Sequence, residues 1–96
     1  MKILVIEDEP KTAKFLQKGF GEAGFVVDVA EDGLEGLHLA LEMQFDLIVL
    51  DIMLPSIDGW RVLTRLRQSG KQALVLILLA RLGFKMSSEG IAGGAL

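Results

Sequence analysis

The chain has 96 residues, of which 51% are hydrophobic and 24% charged, and it contains no cysteine. This length predicts one domain, the composition is typical of a globular chain, and the lack of cysteine excludes a disulfide scaffold or a thiolate metal site. The net charge of −3 gives no electrostatic reason for this chain itself to bind nucleic acid. The longest apolar run, residues 73–80, is well below the ~20 residues that a membrane span needs. The N-terminus, "MKILVIEDE", is charged too early for a signal peptide, so we expect a cytoplasmic protein.

Short apolar runs alternate with helical periodicity along most of the chain. Most runs are apolar on both faces, which is typical of strands buried on both sides. In chain order, the predicted strands are residues 3–6, 25–30, 45–50 and 74–79. Pro10 suits the first turn of the first helix, and Asp32 can cap the second. The positions predicted to face inward from the three helices are Ala13, Leu16, Phe20 and Ala23, then Leu34, Leu37 and Leu41, then Trp60, Leu63 and Leu66.

The order β-α-β-α-β-α-β indicates an α/β fold, in which helices cover both faces of a parallel sheet. In such sheets, ligands bind beyond the carboxyl ends of the strands, where the strand order reverses. Glu7 and Asp8 follow the first predicted strand, and Asp51 follows the third. If these two strands are neighbours, the three carboxylates meet at one edge of the sheet.

Three carboxylates at one place repel one another unless a cation lies between them. We expect Mg²⁺, because it is a hard cation that takes oxygen ligands and keeps part of its water shell. A backbone carbonyl from the loop after Asp51 can add a further oxygen. Such a site can stabilise a transferring phosphoryl group, with a carboxylate as the nucleophile. The alternative is that these acids are ordinary solvated residues at strand ends.

A family resemblance lies in the stretches "ILVIEDEPKTAKFLQKGF", "GFVVDVAEDGLEGLHLA" and "FDLIVLDIMLPSIDGWRVLTRLR". They resemble the receiver domain of bacterial two-component response regulators, of the OmpR/PhoB type and its heavy-metal-responsive (copper, cobalt–zinc–cadmium) branch. The acidic pair after the first strand, together with D-x-M-L-P-x-x-D-G after the third, is the specific part of the pattern. The resemblance runs from Met1 to about Gln72, and more loosely to Arg81. Residues 1–81 are therefore expected to form the receiver core, and residues 82–96 a divergent tail.

The resemblance implies a flavodoxin-like (CheY-like) sheet of strand order 2-1-3-4-5, with the first and third strands side by side. It implies that Asp51 accepts a phosphoryl group from a sensor histidine kinase. It also implies that Mg²⁺ is the cofactor, held by Glu7, Asp8, Asp51 and the backbone carbonyl of Met53, with Glu7 acting directly or through water. A receiver of this kind is a signalling domain and not an enzyme.

Two residues that such receivers use are missing from their expected places. The family has a Thr or Ser at the end of the fourth strand, where this chain has Leu79, whose side chain cannot donate a hydrogen bond. The family also has a Lys at the end of a fifth strand. The segment after Arg81 is too short for a fourth helix, a fifth strand and a final helix, and Lys85 comes too early in it. We therefore expect strand order 2-1-3-4, with the fifth strand missing or degenerate. A non-switching binding or decoy module is the alternative function.

Without a fifth strand, residues 74–79 become an apolar edge, and such edges pair with other chains. We therefore expect self-association through this edge or poor solubility. The dimer surface of the family and the DNA-binding domain that normally follows are expected to be absent. A third class, the haloacid-dehalogenase-type phosphatases, also uses an aspartate nucleophile. That class wants a second Asp two residues later, where this chain has Met53.

Overall fold

The computed structural model describes residues 1–79 and 84–88. Strands and helices alternate along the first part of the chain, as the apolar pattern predicts, and the last two described elements are both strands. In chain order they are β1 (Lys2–Ile6), α1 (Pro10–Glu22), β2 (Val26–Ala30), α2 (Gly33–Glu42), β3 (Leu47–Asp51), α3 (Gly59–Gln68), β4 (Leu74–Leu79) and β5 (Phe84–Ser88).

The strands form one sheet of order β2-β1-β3-β4-β5, in which the first four strands are parallel. This arrangement confirms the predicted order 2-1-3-4 and the predicted neighbours β1 and β3. Ile6 pairs with Leu50 in the β1–β3 register, so both strands end at the same edge of the sheet. The residues that follow them are therefore brought together there.

The prediction that β4 is a free edge is wrong, because β5 pairs antiparallel with it. Only residues 80–83 separate β4 from β5, and they lie outside the described part of the chain. Antiparallel neighbours can be joined by a short connection, whereas a parallel fifth strand needs a crossover of a dozen or more residues. Self-association through the 74–79 edge therefore loses its structural basis.

Apolar side chains pack on both faces of the sheet, which is why the strands carry so few polar residues. On one face, α2 and α3 contribute Leu37, Ala40, Val62 and Leu66 to a cluster with β1, β3 and β4. On the other face, Leu16 and Phe20 of α1 pack against a smaller cluster centred on Val5 and Val49.

Four apolar residues predicted to face inward from the helices lie in solvent instead. Ala23, which follows α1, and Leu34 and Leu41 of α2 are exposed, and Trp60 at the start of α3 is 54% exposed. Leu37, Leu63 and Leu66 face the core as predicted. In a helix that contacts the sheet through one narrow stripe, apolar residues beside that stripe stay uncovered.

We expect Leu66→Ala to lower the free energy of unfolding by about 2–5 kcal/mol, because it removes a side chain that is only 1% exposed and leaves a cavity. Trp60→Ala, in the same helix, is the matched control. It should cost less than about 1 kcal/mol, since more than half of the surface of this residue is already exposed. Urea denaturation of both variants measures the two values. A larger loss for Trp60→Ala than for Leu66→Ala would contradict the burial described for α3.

Candidate functional site

Three acids meet where β1 and β3 end. Glu7 and Asp8 follow Ile6 directly, and Asp51 is the last residue of β3. Each of the three offers a carboxylate oxygen, and these oxygens lie within 4.8 Å of one another. The structure therefore brings together the three acids that the sequence placed at this edge.

Burial distinguishes these acids from ordinary solvated residues at strand ends. Glu7 is 2% exposed, Asp51 is 3% exposed, and Asp8 is half-buried. The backbone N–H of Glu9 donates a hydrogen bond to Oε2 of Glu7 at 2.9 Å. Among the described residues, however, Oε1 of Glu7 and Oδ1 of Asp8 are buried without a hydrogen-bond partner. Buried oxygens in this state are rare and costly, so they favour a ligand at this place.

The environment shifts the acid–base behaviour of Glu7. The pKa of its carboxyl group is raised from 4.5 to about 7, chiefly by burial. The hydrogen bond from the N–H of Glu9 lowers the pKa, while the negative charges of Asp51 and Asp8 and a side-chain hydrogen bond with Asp51 add to the rise. The repulsion among the acids was expected from the sequence. The burial of Glu7 was not, because it depends on neighbours that pack around it only in the folded chain.

The donor set fits a hard divalent cation. It consists of carboxylate oxygens, two of which lack a protein partner, and it includes no nitrogen or sulfur ligand. The loop after β3 contacts this set through a backbone N–H, which Met53 donates to Oδ1 of Asp51 at 3.3 Å. Donation of the Met53 carbonyl to a metal stays a prediction.

The loop after Asp51 closes tightly because residue 59 is a glycine. The N–H of Gly59 donates to the carbonyl of Ile52 at 2.8 Å. A Cβ atom at position 59 would overlap the carbonyl oxygen of Asp51 and lie 2.8 Å from the Cα of Ile52. The D-G pair of the sequence motif thus begins α3: Asp58 caps the helix by accepting from the N–H of Arg61, and Gly59 allows the close approach.

Two open cavities flank the acids and include residues that the sequence did not assign to the site. One, of about 570 Å³, is lined by Asp8, Trp60 and residues of the loop between β3 and α3. The other, of about 220 Å³, is lined by Glu7 and Asp8 together with Lys14 and Gln17 of α1. Lys14 belongs to a stripe of lysines typical of a solvated helix face. Only the packing of α1 against the sheet shows that it borders the acidic edge.

A family model for the response regulator receiver domain matches residues 3–96. The chain belongs to this family. The fold and the acidic edge agree with that membership. Among curated proteins, the receiver domain is 48% identical over 95 residues to the probable transcriptional regulatory protein SilR of Salmonella typhimurium, covering 99% of this chain and 42% of SilR. The relatives confirm the OmpR-type, heavy-metal-responsive branch expected from the motifs. The chain spans about two fifths of their length.

Solved structures show the same fold. The response regulator TrrA of Thermotoga maritima, in complex with Mg²⁺ and beryllium fluoride, has a TM-score of 0.76 and 33% identity, covering 85% of this receiver domain and 73% of that chain. A complex of the histidine kinase ThkA with TrrA matches with a TM-score of 0.76 and 37% identity, covering 82% of this receiver domain and 68% of that chain. Among the described residues of the receiver domain, no helix is long and apolar enough to cross a membrane.

Proposed function

We propose that this receiver domain accepts a phosphoryl group on Asp51 from a sensor histidine kinase, with Mg²⁺ as its cofactor. The observation that carries the proposal is the buried acidic edge, where Asp51 lies beside Glu7 and Asp8 and where two carboxylate oxygens lack a protein partner. Two neighbours support it, because TrrA is described with Mg²⁺ and a fluoride of beryllium and also in complex with a kinase.

In the proposed reaction, a carboxylate oxygen of Asp51 attacks the phosphorus of a phosphohistidine. An O–P bond forms, the N–P bond breaks, and its electron pair stays on the imidazole, which takes up a proton. Glu7 and Asp8, with the Met53 carbonyl, would hold Mg²⁺, which when bound offsets the negative charge of the transferring phosphoryl group. The Met53 N–H holds the Asp51 carboxylate in a defined orientation through its hydrogen bond to Oδ1.

The domain acts, on this proposal, as a phosphorylated signal carrier and not as an enzyme with turnover on a separate substrate. It contacts the kinase in the cytoplasm, and it does not itself bind nucleic acid, since its net charge is −3. Leu79 cannot donate a hydrogen bond to the phosphoryl group, and its side chain lies outside the described part of the structure. The comparisons nevertheless do not favour the non-switching binding module.

The test is incubation with a small phosphoryl donor and Mg²⁺, followed by mass spectrometry of the intact protein. We expect a mass increase of one phosphoryl group, which is lost in Asp51→Asn and when Mg²⁺ is chelated. Asp46→Asn is the matched control, because Asp46 immediately precedes β3, near its opposite end, and is exposed. An adduct that forms equally on Asp51→Asn would refute Asp51 as the acceptor.

A further inference from the structure

The N-terminus of α2 is completed by the loop that follows Asp51. A helix leaves its first four N–H groups without partners inside the helix. In α2, the first regular helical bond runs from the N–H of Gly36 to the carbonyl of Asp32 at 3.0 Å, and the N–H of Glu35 bonds to the side chain of Asp32 at 2.8 Å. The N–H groups of the first two helical residues bond instead to residues 52–58, here called the acceptor loop. Gly33 donates to the carbonyl of Pro55 at 3.2 Å, and Leu34 donates to Oγ of Ser56 at 3.2 Å.

Ser56 has an unusual backbone for the residue type. Its φ of 69° is the only positive value at a non-glycine position in the described part of the chain. L-residues avoid this left-handed region unless local contacts hold them there. Here the hydroxyl group lies between α2 and the loop, at 3.2 Å from the N–H of Leu34 and 3.4 Å from Oδ1 of Asp32. Ser56 thus adopts an unfavourable backbone conformation in which its hydroxyl group contacts the start of α2.

The same loop contacts the acceptor at its other end. Met53 donates its N–H to Oδ1 of Asp51, and the loop is closed by the bond from Gly59 to Ile52. The acceptor loop is therefore held at three places: by the Asp51 carboxylate, by the start of α3, and by the start of α2.

We propose that Ser56 is a positioning residue. By holding the acceptor loop against α2, it keeps the N–H of Met53 in place for its hydrogen bond to Asp51, and it couples the chemical state of Asp51 to the N–H groups at the start of α2. The proposal rests on the proposed function only in taking Asp51 as the acceptor. The link between Asp51 and α2 is a property of the unmodified protein as well. It runs along contacts that do not involve Leu79 or any residue after β4.

Residue-resolved amide hydrogen exchange of the metal-free protein tests the link. We expect Ser56→Ala to speed exchange at Leu34 and also at Met53 by about fivefold, the factor that the loss of one hydrogen bond supports. Ser56→Gly should speed exchange at the same two amides. Because glycine accepts a positive φ without strain, this variant keeps the test valid if Ser56→Ala folds poorly. Ser69→Ala, which removes a hydroxyl at the end of α3, is the matched control and should leave both amides unchanged.

The response at Met53 separates positioning from simple helix capping. If Ser56→Ala speeds exchange at Leu34 but not at Met53, Ser56 only caps α2 and the proposal is wrong. Asp51→Asn should in turn speed exchange at Met53 and Leu34 together, and an unchanged Leu34 would equally overturn the link. Addition of Mg²⁺ and beryllium fluoride should then alter the Leu34 amide in the wild type and not in Ser56→Ala. If the wild type takes up neither beryllium fluoride nor a phosphoryl group while the metal-free results hold, the proposed function fails and the link stands.

Discussion

Glu7→Gln is expected to stabilise the metal-free receiver domain at pH 8 by about 2–3 kcal/mol. The reason is that the pKa of the Glu7 carboxyl group is raised in the folded protein, chiefly by burial, from 4.5 to about 7. Between these two values the folded protein holds the Glu7 proton more tightly than the unfolded chain does. The free energy of unfolding of the wild type therefore falls as the pH rises from 4.5 to 7, and the loss is complete above 7. A glutamine stays neutral, so it does not incur this loss.

The same substitution is expected to remove most of the response to Mg²⁺. On the proposed function, Mg²⁺ bound to the folded state would stabilise the wild type by mass action, and the charged carboxylate of Glu7 would supply one of the oxygens that hold the ion. Urea denaturation at pH 5 and pH 8, with chelator and with Mg²⁺, gives the four free energies required. Glu42→Gln, an exposed acid of α2, is the control and should leave both the pH profile and the Mg²⁺ response as they are. A Glu7→Gln protein that still loses stability between pH 5 and 8 as steeply as the wild type would rule out this account.

Gly59→Ala is expected to lower the free energy of unfolding by about 2–3 kcal/mol, the cost of forcing an extra carbon into a packed place. The added Cβ would overlap the carbonyl of Asp51 and crowd Ile52, both of which are backbone atoms that cannot rotate away. The loop must open to relieve the contact, so the bond from Gly59 to Ile52 weakens and the acceptor loop moves. Phosphoryl transfer to Asp51 should slow for the same reason.

Gly19→Ala provides an internal comparison of opposite sign. Gly19 lies within α1 and has no atom within 4 Å of the place that its Cβ would occupy. Alanine there should raise stability by about 0.5–1 kcal/mol, because glycine is a poor helix former. Urea denaturation midpoints of the two variants decide the matter. If both substitutions stabilise the protein, the close approach at residue 59 does not exist in solution.

Much of the site could be predicted before the fold was known, because the signals are local. The apolar run of β3 ends in Asp51 and the run of β1 ends before Glu7, and parallel strands end at a common edge. Ser56 could not be found in this way. Its contact with Leu34 joins residues 22 positions apart, and no sequence pattern marks a serine that bonds to a distant helix start.

The burial of individual side chains shows the same division. Helical spacing correctly indicated that Leu37 and Leu66 face the core, yet it gave equal weight to Leu34 and Trp60, which lie in solvent. Periodicity identifies a face of a helix, but the width of the covered stripe depends on how closely neighbouring elements approach. The burial of Glu7 could not be predicted from the sequence either, because a position at the end of a strand does not show that the side chain is only 2% exposed.

The sequence by itself determined the order of the first seven elements, the parallel pairing of four strands, and the meeting of Glu7, Asp8 and Asp51. These follow from short-range periodicity and from the rules of parallel sheets. Only the tertiary structure decided that β5 lies antiparallel against β4, that Glu7 is buried, and that the acceptor loop completes α2. Each of these features depends on packing and hydrogen bonds between segments that are distant in the chain. No single stretch of the sequence contains both partners of such a contact, so local patterns cannot predict it.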